Sequence, residues 1–378
     1  MWRWTFLTIA LVGLMALAAC AGEEEATPAP TTPGAAGKPA WEQEWDRVLA
    51  AAKQEGKVAV VSDVGPTVRE ALTQPFQKRY GITVEHLGIS GGEAAARLKT
   101  ERAAGQYLWD VMVQGTTTMI TDLIPSGIAE PIKPALILPE VTDTKNWRDG
   151  RLEFADKAGV YDLVFIGTPK VILAYNKSLV DPKELKSYKD LLAPKWKGKM
   201  AAIDPRVAGP GLATFTFFYM NQELGESFIR ELAGQDLQLT RDHRQIAESV
   251  AQGKVLLAVG TSESQTTPLI EQGLPIGMIQ ALKEGGYITA GNGSVILINK
   301  APHPNAAKVY INWLLSNEGQ TAYVGATGYL SRRLDVPQEI VAEHSRMQPG
   351  VIYDTENYKE DVVKRKDEVA QVLQKYFK

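Results

Sequence analysis

The chain has 378 residues, enough for two or three domains, and its 44% hydrophobic and 22% charged residues match an ordinary globular core. A net charge of −3 at neutral pH, with no run of Lys or Arg, excludes a field strong enough to collect nucleic acid. The one cysteine, Cys20, lies near the start, so the rest of the chain holds no disulfide, thiolate metal site or cysteine nucleophile.

The first element in chain order is a secretory signal, residues 1–19. Arg3 precedes an apolar run over residues 6–17 that is too short for a comfortable membrane span and ends in small residues. Its end, Leu17-Ala18-Ala19-Cys20, resembles the lipobox of bacterial lipoproteins. That resemblance implies cleavage before Cys20 and a lipid on Cys20; ordinary secretion with an incidental cysteine is the alternative. Acyl chains gain about 0.8 kcal/mol per buried CH2, so two or more would tether the protein stably to a membrane. Residues 20–40 then form a lipidated start and a spacer, "AGEEEATPAPTTPGAAGKPA", with no apolar period and a composition that disfavours a packed core.

The folded body is expected from residue 41. Helices are read at 42–55, 68–80 and 93–103, and strands at 57–63, 82–87 and 109–115. Strands alternating with helices imply a parallel sheet with ligand at the carboxyl ends of its strands. Those ends carry small polar residues: Ser62-Asp63, Gly88 to Gly92, and Gln114-Gly115-Thr116. The style repeats with strands at 170–176, 199–205, 254–260 and 293–300. Helices are read at 181–192, with Asp181 as cap, at 212–224, at 303–320 and at 357–377.

Four segments, in this order, carry a family resemblance: "LAYNKSLV" (173–180), "SYKDLLAPKWKGKMAAIDP" (187–205), "GKVLLAVGTSES" (253–264) and "APHPNAAKVYINWLLSNEGQ" (301–320). With these the chain resembles the extracellular solute-binding proteins of bacterial ABC importers, in the family 1 group related to iron(III)- and small-anion-binding proteins. The resemblance spans about residues 45–375. It implies the type II periplasmic-binding-protein fold: two α/β lobes, each a mostly parallel sheet flanked by helices, joined by crossover strands with a ligand cleft between. Lobe 1 would be 41–170 with 286–378, and lobe 2 would be 171–285. It further implies a monomer that binds a small-molecule solute and delivers it to an ABC permease in the cytoplasmic membrane, with no nucleic-acid partner, no cofactor, no resident metal and no enzymatic activity.

Gly88-Ile89-Ser90-Gly91-Gly92 also fits G-x-S-x-G between a strand and a helix, the setting of a hydrolase nucleophile. Three readings stay open for Ser90: nucleophile, helix cap, or a cap whose neighbouring N–H groups hold ligand. Ser90 and Glu93 fit a capping box, and no His-Gly-Gly segment lies upstream, which favours the caps. The loop Thr261-Ser262-Glu263 lacks the adjacent tyrosines with which some relatives hold ferric iron, and Tyr175, Tyr287 and Tyr329 are scattered. The expected solute is therefore small, polar and anionic or zwitterionic, with ferric iron as an alternative. Its expected contacts are Ser62, Asp63, Ser90, Gly91, Gly92, Gln114, Gly115 and Thr116 in lobe 1. In lobe 2 they are Tyr175, Asp204, Gly211, Thr261, Ser262 and Glu263, with Asn292 at the return crossover. Glu263, as a loop acid, is expected to contribute little to the fold.

Overall fold

A computed structural model describes residues 38–377, and from Pro39 on the chain forms one compact unit. The signal segment, the Cys20 tether and all but residues 38–40 of the spacer lie outside the described residues. Among the described residues no helix is long and apolar enough to cross a membrane.

In chain order the first part runs α1 (Ala40–Glu55), β1 (Lys57–Ser62), α2 (Pro66–Tyr80), β2 (Thr83–Gly88), α3 (Gly91–Ala103) and β3 (Val111–Gln114). A short turn of helix, α4 (Thr116–Thr118), continues into a π-helical turn Met119–Leu123, and is followed by β4 (Ala129–Glu130), α5 (Pro139–Thr142), β5 (Glu153–Phe154), β6 (Leu163–Val164) and β7 (Thr168–Pro169). The second part holds β8 (Leu173–Asn176), β9 (Met200–Ile203), α6 (Pro210–Met220), α7 (Gly225–Ala233), β10 (Gln238–Thr240), α8 (His243–Ala251), β11 (Leu257–Val259), α9 (Glu263–Glu271) and β12 (Ile276–Ile279). The chain then returns through β13 (Gly286–Thr289), β14 (Ser294–Ile298), α10 (Pro304–Leu315), α11 (Asn317–Thr327), β15 (Tyr353–Asp354) and α12 (Glu360–Tyr376).

These strands form a seven-stranded sheet in the order β2-β1-β3-β14-β6-β5 with β4 beside β14, a five-stranded sheet β10-β9-β11-β8-β12, and a three-stranded ribbon β15-β13-β7. β2-β1-β3 and β10-β9-β11 are parallel, as the alternation of strands and helices requires. The other strands of the two large sheets, β14, β6, β5 and β4 in one and β8 and β12 in the other, add antiparallel. The mostly parallel expectation thus holds for only part of each sheet. β8 follows one crossover and β14 the other, and each enters its sheet running against the parallel strands. The crossovers are bound together where β7 pairs antiparallel with β13.

Each sheet has its own core. Under the first, Phe76 packs against Tyr310 and Trp313 with ring centroids 5.0 and 5.4 Å apart, and fully burying side chains of this kind stabilises by about 1.5–3 kcal/mol each. Glu55, at the end of α1, accepts from the backbone N–H groups of Asn305 and Ala306 and so caps α10 from a distance of 250 residues in sequence. Under the second sheet, α6 is buried on most of its faces, including Leu212, Phe215, Phe217 and Phe218, which is why its sequence shows no apolar stripe.

Three expectations are corrected. The helix read at 181–192 is two 3-10 turns, Pro182–Glu184 capped by Asp181 and Tyr188–Leu192 capped by Ser187. The helix read at 303–320 breaks at Ser316, whose hydroxyl accepts from Gly319 N at 3.3 Å and starts α11. The C-terminal helix does not belong to the first lobe alone: Val363 joins a cluster with Ile120 and Ile288, whereas Val369, Leu373 and Phe377 join the second sheet's core. Its 17 residues span about 25 Å, enough to reach from one to the other.

Gly211, expected as a ligand contact, is a packing residue. A Cβ there would lie 2.4 Å from the Ile203 carbonyl oxygen, and one on Gly260, which has φ 71°, would lie 3.0 Å from the Gly211 Cα. The ends of β9 and β11 and the start of α6 meet at this pair of glycines. Gly211→Ala should destabilise the protein by about 1–3 kcal/mol through overpacking, read as a lower urea midpoint with an unchanged slope.

Candidate functional site

A cleft of about 530 Å³ opens where the loops at the carboxyl ends of the parallel strands approach the crossovers. The expected contacts Gly91, Gly92, Gln114, Gly115, Ser262, Glu263 and Asn292 meet there. Gln114 is held by its amide, which donates to Ile89 O at 2.8 Å. Gly115 is small because Gly291 O and Asn292 Oδ1 would lie 3.1 and 3.3 Å from a Cβ. Three helices, α3, α6 and α9, begin at or beside the cleft, and their first N–H groups favour negative charge.

Ser62, Asp63, Ser90, Thr116, Tyr175, Asp204, Gly211 and Thr261 do not line it. Ser62 Oγ donates to the Asp63 carbonyl at 3.1 Å and lies 2.7 Å from His86 Nε2. Asp63 accepts from the Asn292 amide and so braces a lining residue from behind. Ser90 is exposed and makes both halves of the capping box: its hydroxyl accepts from Glu93 N, and its backbone N–H donates to Glu93 Oε2 at 3.1 Å. Thr116 is buried at the start of α4. Tyr175 lines a separate pocket with Met278 and Gln280, its ring packed on Gly277. Asp204 is clamped by Arg206 Nε at 2.8 Å and Arg241 Nε at 3.2 Å, and these hydrogen bonds, Arg206 first, hold its carboxyl down to about 2. Thr261 is buried and contributes its carbonyl, which accepts from Lys170 Nζ at 3.1 Å.

Glu263 differs from its expected part as a free acceptor. Its carboxylate pairs with the Lys170 ammonium and accepts from Val171 N at 2.9 Å. Lys170 follows β7 directly and is only 7% exposed, so the pair fastens the first crossover to the start of α9. Lys170 itself escaped the sequence reading, although a lysine opening the apolar strand "KVILAYN" was the available signal.

Other residues beyond the expected contacts also line the cleft. Tyr287 and Tyr329 present phenols, but burial raises both pKa values, that of Tyr329 to about 12 with help from Glu263 and Asp63. The Tyr287 hydroxyl lies 3.1 Å from Thr214 Oγ1. Burial lowers His344 below the usual imidazole range. Ser345 is buried with an unpartnered hydroxyl, and Lys366 is half-buried on α12, where desolvation lowers its ammonium to about 8. Among the described residues no group of three or more His, Cys, Asp or Glu could hold a metal ion.

Two outcomes are expected. Glu263→Ala strands the Lys170 ammonium without its carboxylate and should cost about 3 kcal/mol in chemical denaturation; Lys170→Met in the same chain should recover part of the loss. Asp204 has a depressed folded-state pKa, so its stabilising contribution is present above the unfolded value of 3.8 and is lost as pH falls toward about 2. About 2 kcal/mol should disappear across that window, and Asp204→Asn should flatten the acid limb of the stability curve.

The chain is 25% identical over 283 residues to an uncharacterized protein of Haemophilus influenzae, covering 72% of this chain and 77% of that one. Among solved structures it is similar to iron-bound HitA from Pseudomonas aeruginosa (TM-score 0.59, 19% identity, 85% of this chain and 99% of that one). It is also similar to the periplasmic binding protein AfuA from Actinobacillus pleuropneumoniae with fructose-6-phosphate bound (0.61, 20%, 83% and 97%). A third is FutA of Trichodesmium in complex with iron and citrate (0.65, 17%, 85% and 99%). At these identities the likeness establishes the two-lobed fold. Residues 71–349 match the model of the bacterial extracellular solute-binding proteins, and the chain belongs to that family.

Proposed function

We propose that this chain is the solute-binding component of an ABC importer. It takes a small polar solute, anionic or zwitterionic, into its cleft outside the cytoplasm, closes on it about the crossovers, and hands it to a membrane permease. One observation carries the reading: a single cleft collects strand-end glycines and hydroxyls from the first sheet together with helix starts from the second. The "LAAC" end of the signal supports a lipid tether at Cys20, and the protein is read as acting as a monomer.

The lining supports binding rather than hydrolysis. Ser90 is occupied by its own capping box, and the His86 ring that hydrogen-bonds a serine hydroxyl does so at Ser62, outside the cleft. Ferric iron stays as a second reading because Tyr287 and Tyr329 both face the cleft. It is the weaker one, since burial disfavours both phenolates and Glu263 is already engaged by Lys170.

Mass spectrometry of small molecules and metals released from denatured protein tests the proposal, followed by adding the released species back. An organic anion or zwitterion that compacts the protein in small-angle scattering is the expected result. Stoichiometric iron with a visible tyrosinate charge-transfer band would overturn the organic-solute reading. Covalent labelling of Ser90 by a fluorophosphonate would overturn the binding reading altogether.

A further inference from the structure

Several polar groups of the cleft already have partners, and two donors, Lys366 and the Ser345 hydroxyl, are among those that lack them. Glu263 is spent on Lys170 and Val171 N, and Gln114 donates its amide to Ile89 O. Lys366, by contrast, forms no ion pair or hydrogen bond with any described residue while lining the cleft. Its helix turns Val362, Val363, Val369 and Leu373 inward, and Lys366 lies within one turn of Val362, Val363 and Val369. Asp367, next on the helix, is exposed and makes no ion pair with it. The Ser345 hydroxyl is a second buried donor at the cleft without a partner.

The surroundings of Lys366 point the same way. α12 packs against the turn Met119–Leu123, which continues from Thr117 and Thr118 of the cleft wall. A Cβ on Gly91 would lie 2.4 Å from Thr118 Oγ1, so the N-terminus of α3 abuts that same threonine. Ser90 caps the N–H of Glu93 only, which leaves the amides of Gly91 and Gly92 without an intrahelical acceptor. The cleft thus collects an ammonium, two helix amides and threonine hydroxyls, and the ammonium makes no ion pair there with either lining acid, Glu263 or Asp367.

We propose that Lys366 is the cationic partner of an oxyanion, a phosphate monoester or a carboxylate, carried by the solute and received between α12 and the N-terminus of α3. The inference rests on the solute-binding reading and names the class of solute. The lowered ammonium pKa fits a site prepared for an anion, whose arrival would restore the charged form.

Calorimetry with glucose 6-phosphate, glucose and citrate tests it on the wild type, Lys366→Met and Lys366→Arg. The wild type should bind glucose 6-phosphate or citrate, whichever matches the oxyanion, and ignore glucose. Lys366→Met should weaken that binding about 10- to 100-fold, and Lys366→Arg should stay within a few-fold of the wild type. Between pH 7 and 9.5 a phosphate monoester stays dianionic, so wild-type affinity should fall through about pH 8 while the Arg variant holds. The titratable groups on the elements packed against α12 are Asp122, paired with Lys99, Tyr219 of α6, and Glu226, Arg230 and Glu231 of α7, and on its own helix Lys366 stands between Arg365 and Asp367. Wild-type protein that binds neither oxyanion overturns the proposal, as does a folded Met variant that binds like the wild type. If a released solute still compacts both proteins with equal affinity, the oxyanion assignment falls and the solute-binding reading stands. If no solute compacts either protein, both fall.

Discussion

The ion pair of Lys170 and Glu263 sits where the chain first passes from one sheet to the other, and the geometry of the cleft follows from it. Lys170 comes straight after β7, and Glu263 opens α9. With Val171 N also bonded to Glu263, the crossover is fixed to the start of a helix in the second part. On the other side, β7 is fixed to β13 by backbone pairing. A connection restrained at both margins leaves few ways for the two sheets to move past each other. Hinge closure about a few crossover residues is the motion such a construction permits.

The same constraint sets the electrostatics. A parallel strand followed by a helix delivers the N-terminus of that helix to the sheet's carboxyl edge, and both sheets do this toward one space. The cleft therefore begins with a positive bias from backbone groups alone. Of its two lining acids, Glu263 adds little negative charge while Lys170 neutralises it, and Asp367 is exposed on α12. Lys366 adds a side-chain cation to the lining from a helix far away in sequence.

The parts legible in the sequence were those encoded locally. The capping box at Ser90 and Glu93 lies within four residues, and the glycine-bearing ends at Gly91-Gly92 and Gln114-Gly115 follow strands with a clear apolar pattern. Asp204 looked like a free strand-end acid because its clamp needs Arg241, 37 residues on, as well as Arg206. Glu263 looked like a loop acid because its partner lies 93 residues earlier, across the crossover. Lys366 and Ser345 sit in segments with no motif, and only the return of the C-terminal region over both cores brings them to the cleft. Tertiary pairing over long separations, rather than any unusual local conformation, separates what could be read from what could not.

The path of α12 has a consequence for how motion in this protein can be observed. Its C-terminal turns are part of the second core, and the Phe377 carbonyl accepts from Arg206 Nη1 at 3.1 Å. Toward its N-terminus it instead meets residues beside the crossovers. Such a helix is a natural reference frame. Paired spin labels or dyes on exposed positions of α12 and α7 would form a fixed ruler, whereas the same α12 label paired with one on α3 would report the opening of the cleft. The chain thus carries an internal standard against which its own conformational change can be calibrated.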